Sequence, residues 1–276
     1  MKAHASVFVV VPAYAEEERI ARVLGRLPSF IDGVVVVDDH SPDETANAVR
    51  AVVDSRVHLV RHAENRGVGR SIASGYQRAL ELGADVLVVM AGDDQMDPAD
   101  LDALIAPIVE GRADYVKGNR LRHSEVARMP MHRRWGTRAL GWLTARASGL
   151  ALGDSQCGYT ALARQAALDI DWNELWERYG YPNDLLILLG RRGARVHEVT
   201  VRPVYAGEKS GLRPWHLLTI VWVIARRFAL ETSLVTAQRA RRQAALSADQ
   251  PLLSEQPAQA LAGEPERAVT HRTFAG

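Results

Sequence analysis

Three short stretches of this 276-residue chain gather oxygen-bearing side chains at close spacing: Pro12-Ala13-Tyr14-Ala15-Glu16-Glu17, Asp38-Asp39-His40-Ser41 and Gly92-Asp93-Asp94-Gln95-Met96-Asp97. Carboxylates brought together repel a nucleotide unless a cation lies between them, or unless they accept bonds from ribose hydroxyls and base N–H groups. A hard divalent ion with oxygen ligands, Mg²⁺ or Mn²⁺, is the natural cation for such a set. The sequence has no Gly-x-x-x-x-Gly-Lys-Ser/Thr loop and no Gly-x-Gly-x-x-Gly after its first apolar run. A glycine-rich phosphate cradle is therefore missing, which argues against a P-loop NTPase or a dinucleotide enzyme and leaves the phosphates to a metal.

The elements that must position these residues follow from the hydrophobic pattern. Short β-branched runs recur at Val7 to Val11, Val34 to Val37, Val57 to Val60 and Val86 to Met90, with helical patterns between them. Alternation of this kind predicts βαβ units and a mostly parallel sheet. Glu16 to Leu27 reads as an amphipathic helix, with Ile20, Val23, Leu24 and Leu27 on one stripe. Ser41-Pro42-Asp43-Glu44 reads as the start of a second helix with Ser41 as N-cap. Gly69 to Leu82 reads as a third helix, and Asp97-Pro98 opens a fourth that runs to about Val109. Asp114 to Lys117, Tyr159 to Leu162 and Arg195 to Val201 read as later strands, and Trp135 to Leu152 as a helical segment folding over the site. In a doubly wound sheet, ligands bind outside the carboxyl ends of the strands, and all three acidic stretches sit immediately after strands.

Composition narrows the field. Lys plus Arg number 34 against 33 Asp plus Glu, so no global field favours nucleic acid, and any anion site is local. A single cysteine, Cys157, excludes an internal disulfide framework and a Cys-rich metal site, which fits a reducing, cytoplasmic setting. The first residues lack the basic n-region and apolar length of a signal peptide. The longest uncharged apolar stretch, Pro214 to Ala225, is shorter than the roughly 20 residues a spanning helix needs.

Taken together, Pro12-Ala13-Tyr14-x-Glu16-Glu17, Val37-Asp38-Asp39-x-Ser41-x-Asp43, Asn65-Arg66-Gly67-x-Gly69 and Gly92-Asp93-x-Gln95-Met96-Asp97-Pro98 resemble family 2 glycosyltransferases, in particular the polyprenol-phosphate, dolichol-phosphate mannose synthase-like branch. The resemblance covers about residues 6 to 211. It implies an α/β GT-A fold, Rossmann-like, with a mostly parallel sheet flanked by helices. It further implies that Pro12, Tyr14, Glu16 and Asp39 contact the nucleoside and that Asp93 and Gln95 hold Mg²⁺ or Mn²⁺. Arg120, of Gly118-Asn119-Arg120, would meet an acceptor phosphate, together with Arg133, Arg134, Arg202, Lys209 and Ser210. Asp184, in Tyr181-Pro182-Asn183-Asp184, falls at the acidic position that other family members use near the acceptor, as a base, although a helix cap is the competing reading. Two positions depart from the pattern: Ala15 stands where an Asn is usual, and Ala91 where the first Asp of Asp-x-Asp is usual.

The implied reaction is transfer with inversion of a sugar from a UDP- or GDP-sugar to polyprenyl phosphate. The alternatives are a soluble transferase acting on a hydroxyl of a small molecule or glycan, and a nucleotide-binding homologue with impaired catalysis. The domain reading is a catalytic domain over 1–212, an apolar and basic helical segment over 213–243, and a disordered tail over 244–276. Trp215 to Ile224 reads as a helix apolar nearly all round, followed by Arg226 and Arg227, which suits a peripheral position on the cytoplasmic face of a membrane. The sugar, the base and the oligomeric state are left open.

Overall fold

The computed structural model describes residues 5–204 and 216–230. Seven strands form one sheet: β1 (Val7–Ala13), β2 (Gly33–Asp38), β3 (Val57–Arg61), β4 (Val86–Val89), β5 (Tyr115–Asn119), β6 (Thr160–Ala163) and β7 (Val196–Thr200), in the order β3-β2-β1-β4-β6-β5-β7. All neighbours pair in parallel except β6, which runs antiparallel to both β4 and β5. The central strands β1, β2 and β4 are buried on both faces, and this is why they read as unbroken valine runs rather than alternating ones.

Alternate residues of β1 feed two cores. Val7, Val9 and Val11 pack against Ile20, Val23 and Leu24 of α1 (Ile20–Gly25), Val49 of α2 (Thr45–Arg50) and Leu101, Leu104 and Ile105 of α4 (Leu101–Val109). Phe8 and Val10 face Ile72 and Tyr76 of α3 (Val68–Glu81), and the same core takes in Leu185, Leu186 and Leu188 of α7 (Tyr181–Arg191). Helix α3 lies so close to the sheet that a Cβ on Gly75 would come 2.2 Å from Val10 Cγ1. Between α4 and α7 in the chain come the long α5 (Met131–Ser148), which ends on Gly149 at φ 74°, and the short α6 (Arg164–Leu168). The chain winds from β1 to β3 in one direction and from β4 onward in the other. The crevice thus falls where strand order reverses, beside the carboxyl ends of β1 and β4.

Two local expectations change. The first helix begins at Ile20 rather than Glu16, because the Glu16 and Glu17 amides donate instead to Thr45 Oγ1 (2.8 Å) and Asp43 Oδ2 (3.2 Å). Ser41 does not cap the second helix; its hydroxyl accepts the Ala15 amide at 3.1 Å, and the Thr45 amide is met by Asp43 Oδ1. In both cases side chains that could start a helix join the two strand-end loops to each other.

Residues 216–230 are helical and are designated α8. Its apolar residues divide between two sides: Ile220, Val223 and Ile224 are buried together with Arg227, Ile220 and Ile224 lying against Leu140 and Ala147 of α5 and Ile187 of α7, whereas Leu218, Val221 and Trp222 are exposed. Among the described residues no helix is long and apolar enough to cross a membrane. All described residues belong to one compact unit, Met1–Leu234.

Candidate active site

Only three described non-glycine residues have positive φ: Ala15 (57°), His40 (59°) and Asp94 (60°). They lie just beyond β1, β2 and β4, so all the left-handed strain on side-chain-bearing residues collects at the strand ends that frame the crevice. Each such residue costs about 1–2 kcal/mol, and such strain persists only where the surroundings over-determine the backbone. Hydrogen bonds do so here. Asp38, fully buried, accepts the Ser41 amide at 3.0 Å and lies 3.0 Å from Arg61 Nε. Asp39 accepts the Arg66 amide at 2.9 Å and the Gly67 amide at 2.7 Å, and its Oδ1 lies 2.6 Å from His62 Nδ1. The Asp39 carboxylate therefore holds the loop after β3 against the end of β2. Tyr14 is half exposed at the rim, where its ring offers a flat face.

The turn after β4 is held from several sides. Asp93 Oδ1 accepts the Gln95 amide at 3.1 Å, which ties the two residues into one turn. Asp94 is gripped by α1, with Arg22 Nε donating at 2.9 Å and Arg26 Nη1 at 2.7 Å. Met96 Sδ accepts the Ala91 amide, Asp97 caps the Ala99 amide, and Tyr159 donates its hydroxyl to the Asp97 carbonyl at 2.9 Å. At Ala91, where a second carboxylate is usual in the resemblance, the side chain offers a methyl group alone.

Against this turn opens a cleft lined by Asp93, Gln95, Met96, Arg120, Arg133 and Arg202, with Cys157, Gly158 and Tyr159 on its floor side. Five of the residues singled out from sequence thus share one space, although they come from four separate segments. Their charges are already organised. Arg120 forms a two-pronged pair with Asp154, Nε to Oδ2 at 2.8 Å and Nη2 to Oδ1 at 3.1 Å. Arg202 reaches Glu125 Oε1 at 3.0 Å. Burial alone would raise the Asp154 carboxyl, but Arg120, followed by Lys117, outweighs it and holds the group below the usual carboxylate range. Lys117, wholly buried in β5, donates to the Cys157 carbonyl, and burial depresses its ammonium pKa. Glu198 of β7 completes the support by accepting the Gly153 and Asp154 amides and the Asn119 side chain at 2.8–3.1 Å. Asp154, Lys117 and Glu198 escaped the sequence reading. The one available signal was Lys117, a charge between apolar residues in a short strand.

Other expected residues lie elsewhere. Pro12 lies within β1, Tyr14 and Glu16 in the loop after it and Asp39 just after β2, and none of them lines the cleft; nor does Arg134, beside Arg133 on α5. Lys209 and Ser210 lie outside the described residues. Asp184, expected to act as a base, is fully buried on α7: its oxygens accept Arg227 Nε at 2.7 Å and Arg227 Nη2 at 3.0 Å, and it also accepts the Trp176 amide at 2.9 Å. Three donors thus converge on this carboxylate, one on Oδ1 and two on Oδ2. Arg227, read from sequence as a lipid-facing anchor, is the buried half of that pair.

Whether a divalent metal suits the site can be judged from the donors. Among the described residues no three His, Cys, Asp or Glu side chains converge on one point. Asp93 and Gln95 nonetheless supply only oxygen donors of use to a hard cation. Mg²⁺ is commonly bound by one or two carboxylates, water and substrate phosphates rather than by a complete protein cage. The donor set fits an ion completed by a diphosphate.

Comparison with known proteins gives a consistent picture. The family model described as Glycosyl transferase family 2 matches residues 8–169. An undecaprenyl-phosphate mannosyltransferase of Micrococcus luteus is 31% identical over 213 residues, spanning 71% of this chain and 82% of that protein. A UDP-N-acetylglucosamine–dolichyl-phosphate N-acetylglucosaminyltransferase of Methanococcus voltae is 28% identical over 215 residues, 72% and 86% of the two chains. Among solved structures, a glucosyl-3-phosphoglycerate synthase from Mycobacterium tuberculosis, in complex with Mn²⁺, UDP-glucose and phosphoglyceric acid, superposes with a TM-score of 0.62 at 20% identity, covering 82% of this chain and 80% of that one; this likeness bears on the fold.

Proposed function

The chain belongs to glycosyl transferase family 2 and is a glycosyltransferase, and from that premise we propose that it moves a sugar, with inversion at the anomeric carbon, from a UDP- or GDP-sugar to polyprenyl phosphate. The observation that carries this reading is the cleft itself, where Asp93 and Gln95 face Arg120, Arg133 and Arg202 while the acid expected to serve as base is locked away on Arg227. A phosphomonoester, with its second pKa near ~6, is already largely a dianion at neutral pH. It needs to be aimed at the sugar, not deprotonated.

In this mechanism the loops after β1 and β2 hold the nucleoside, with Tyr14 and Glu16 at its edge and Asp39 keeping the neighbouring loop in place. Asp93 and Gln95 would hold Mg²⁺ or Mn²⁺, and the ion would supply charge stabilisation to the departing diphosphate. Arg120, fixed by Asp154, and Arg133 present guanidinium forks to the acceptor phosphate. Arg202 lies on the same wall and closes the cleft toward Asp97 and Glu125. Lys209 and Ser210 join this set by proposal alone. The relatives' printed acceptors, undecaprenyl phosphate and dolichyl phosphate, support a lipid phosphate here.

The surface supports a lipid partner as well. Trp135 and Trp142 of α5 and Leu218, Val221 and Trp222 of α8 are exposed, and Arg138 and Arg226 lie over the Trp135 and Trp222 rings at 5.8 Å. Exposed indoles with arginine neighbours suit the headgroup region of a bilayer. A hydroxyl acceptor is favoured by a different observation: Arg120 and Arg202 are each already paired with a carboxylate, which weakens their pull on a second anion. Asp184→Asn separates the two readings. At saturating donor the variant is expected to keep kcat within a few-fold of wild type, and a loss on the order of 10²-fold or more would mark a base and a hydroxyl acceptor.

A further inference from the structure

The buried pair Asp184–Arg227 does not line the cleft, yet it is joined to the nucleotide side by a series of directional bonds through the backbone. Arg227, 3% exposed on α8, spends Nε and Nη2 on the two oxygens of Asp184 and also donates Nη2 to the Glu174 carbonyl at 2.7 Å. Asp184 accepts the Trp176 amide. Both partners therefore fix the backbone of the 173–180 loop, one at a carbonyl and the other at an N–H. Helix α8 covers the same loop from outside: Trp222 meets Trp176 edge-on at 5.4 Å, and His216 stacks on Tyr179 at 4.3 Å.

The opposite side of that loop holds the segment after β3. The Glu177 carbonyl accepts the Gly69 amide at 2.7 Å and the Arg70 amide at 3.2 Å. The two backbones touch so closely that a Cβ on Gly69 would stand 2.2 Å from the Trp176 carbonyl oxygen, and one on Gly67, at φ 91°, would stand 2.6 Å from the Glu177 carbonyl oxygen. The Arg66 and Gly67 amides are in turn the donors to Asp39.

We infer that Arg227 and Asp184 are positioning residues for donor binding: they set the path of the 173–180 loop, which presses the Arg66–Gly69 backbone against Asp39 and so shapes the nucleoside side of the crevice. The chemistry of the pair argues for this over simple adhesion. A buried ion pair is rarely more stabilising than well-packed apolar side chains of similar volume. An apolar pair would glue α8 down equally well, but it could not accept the Trp176 amide or donate to the Glu174 carbonyl. Only polar groups of fixed geometry specify the loop's course. The consequence is that α8, whose outer face carries exposed Leu218 and Trp222, bears on the nucleotide site through Arg227.

This inference rests on the donor-binding reading above, and the test separates the two. UDP and GDP are titrated calorimetrically, with Mn²⁺, into the full-length wild type, Arg227→Lys, Arg227→Met and the double variant Asp184→Leu/Arg227→Met, alongside thermal melts and the KM values for donor and acceptor. Arg227→Met should melt lower, since it strands a buried carboxylate. The apolar double variant should regain much of that stability. Nucleotide Kd should nevertheless rise about tenfold in both, equivalent to about 1.4 kcal/mol, with donor KM following it and acceptor KM unchanged, and Arg227→Lys should fall between. A double variant that melts like wild type and binds nucleotide with the wild-type Kd would overturn the inference and leave the pair a fastener. Wild type that binds neither nucleotide would overturn the proposed function, and the inference with it.

Discussion

The two halves of the crevice are built on opposite principles. On the donor side, the ends of β1, β2 and β4 carry strained backbone at Ala15, His40 and Asp94, and adjoining loops are tied by short side chains to main-chain amides: Ser41 to Ala15, Thr45 to Glu16, Asp39 to Arg66 and Gly67. On the proposed acceptor side no described non-glycine residue has positive φ, and order comes from side-chain charge: Arg120 on Asp154, Arg202 on Glu125, and Lys117 buried beneath. A diphosphate held through a metal needs a rigid frame of main chain. A phosphate recognised by guanidinium groups needs cations kept oriented before it arrives, which paired carboxylates achieve while lowering their net attraction.

That contrast can be broken at several points. The largest effect is expected from Asp93→Ala, which removes the one carboxylate of the proposed Asp93–Gln95 ligand pair; glycosyl transfer should fall on the order of 10³-fold, measured as nucleoside diphosphate release, while the thermal melt hardly moves. Next comes Asp154→Ala. Removing one partner of a buried pair costs about 3–5 kcal/mol, and because the Arg120 side chain is 23% exposed and can turn to water, the lower end is expected in a denaturant melt, together with a raised acceptor KM. The same pair sets an acid limit. With its pKa held below the unfolded value of ~3.9, Asp154 contributes stability that is fully present above that pH and lost as pH falls through the folded value. An acid titration of wild type should therefore unfold at lower pH than one of the Asp154→Asn variant. The smallest effect is a gain: Ala15→Asn places a residue that tolerates left-handed backbone at φ 57°, and the melt should rise by up to about 1 kcal/mol.

The same contrast explains how much could be read from sequence. The strands β1 to β4 and their parallel pairing follow from the valine runs with helical patterns between them, and the residues after them carry the chemistry because a doubly wound sheet exposes its strand ends. Asp93, Gln95, Arg120 and Arg202 follow β4, β5 and β7, whose carboxyl ends share one edge of the sheet, and with Arg133 they line one cleft. What local pattern could not supply was pairing across long separations. Asp154 finds Arg120 from 34 residues away and Asp184 finds Arg227 from 43, and nothing in the neighbourhood of Asp184 distinguishes an acid that meets substrate from one that meets a distant helix. Helix α8 illustrates the same limit: its composition is apolar on nearly every side, but only the fold decides that Ile220, Val223 and Ile224 turn inward while Leu218 and Trp222 turn out. Ser41 departs from its expected role as a helix cap for a related reason, since a hydroxyl beside a proline starts a helix unless a neighbouring loop, here at Ala15, takes its lone pair first.

The most direct test of the central claim is transfer itself. Purified protein would be given Mg²⁺ or Mn²⁺, a panel of UDP- and GDP-sugars, and polyprenyl phosphate in detergent, with nucleoside diphosphate release and glycolipid formation both recorded and Asp93→Ala run in parallel. The account predicts a sugar-linked lipid phosphate with one of the donors, absent with Asp93→Ala and diminished by Arg120→Ala. Nucleotide binding without glycolipid from any donor, or glycolipid formed equally well by Asp93→Ala, would contradict it.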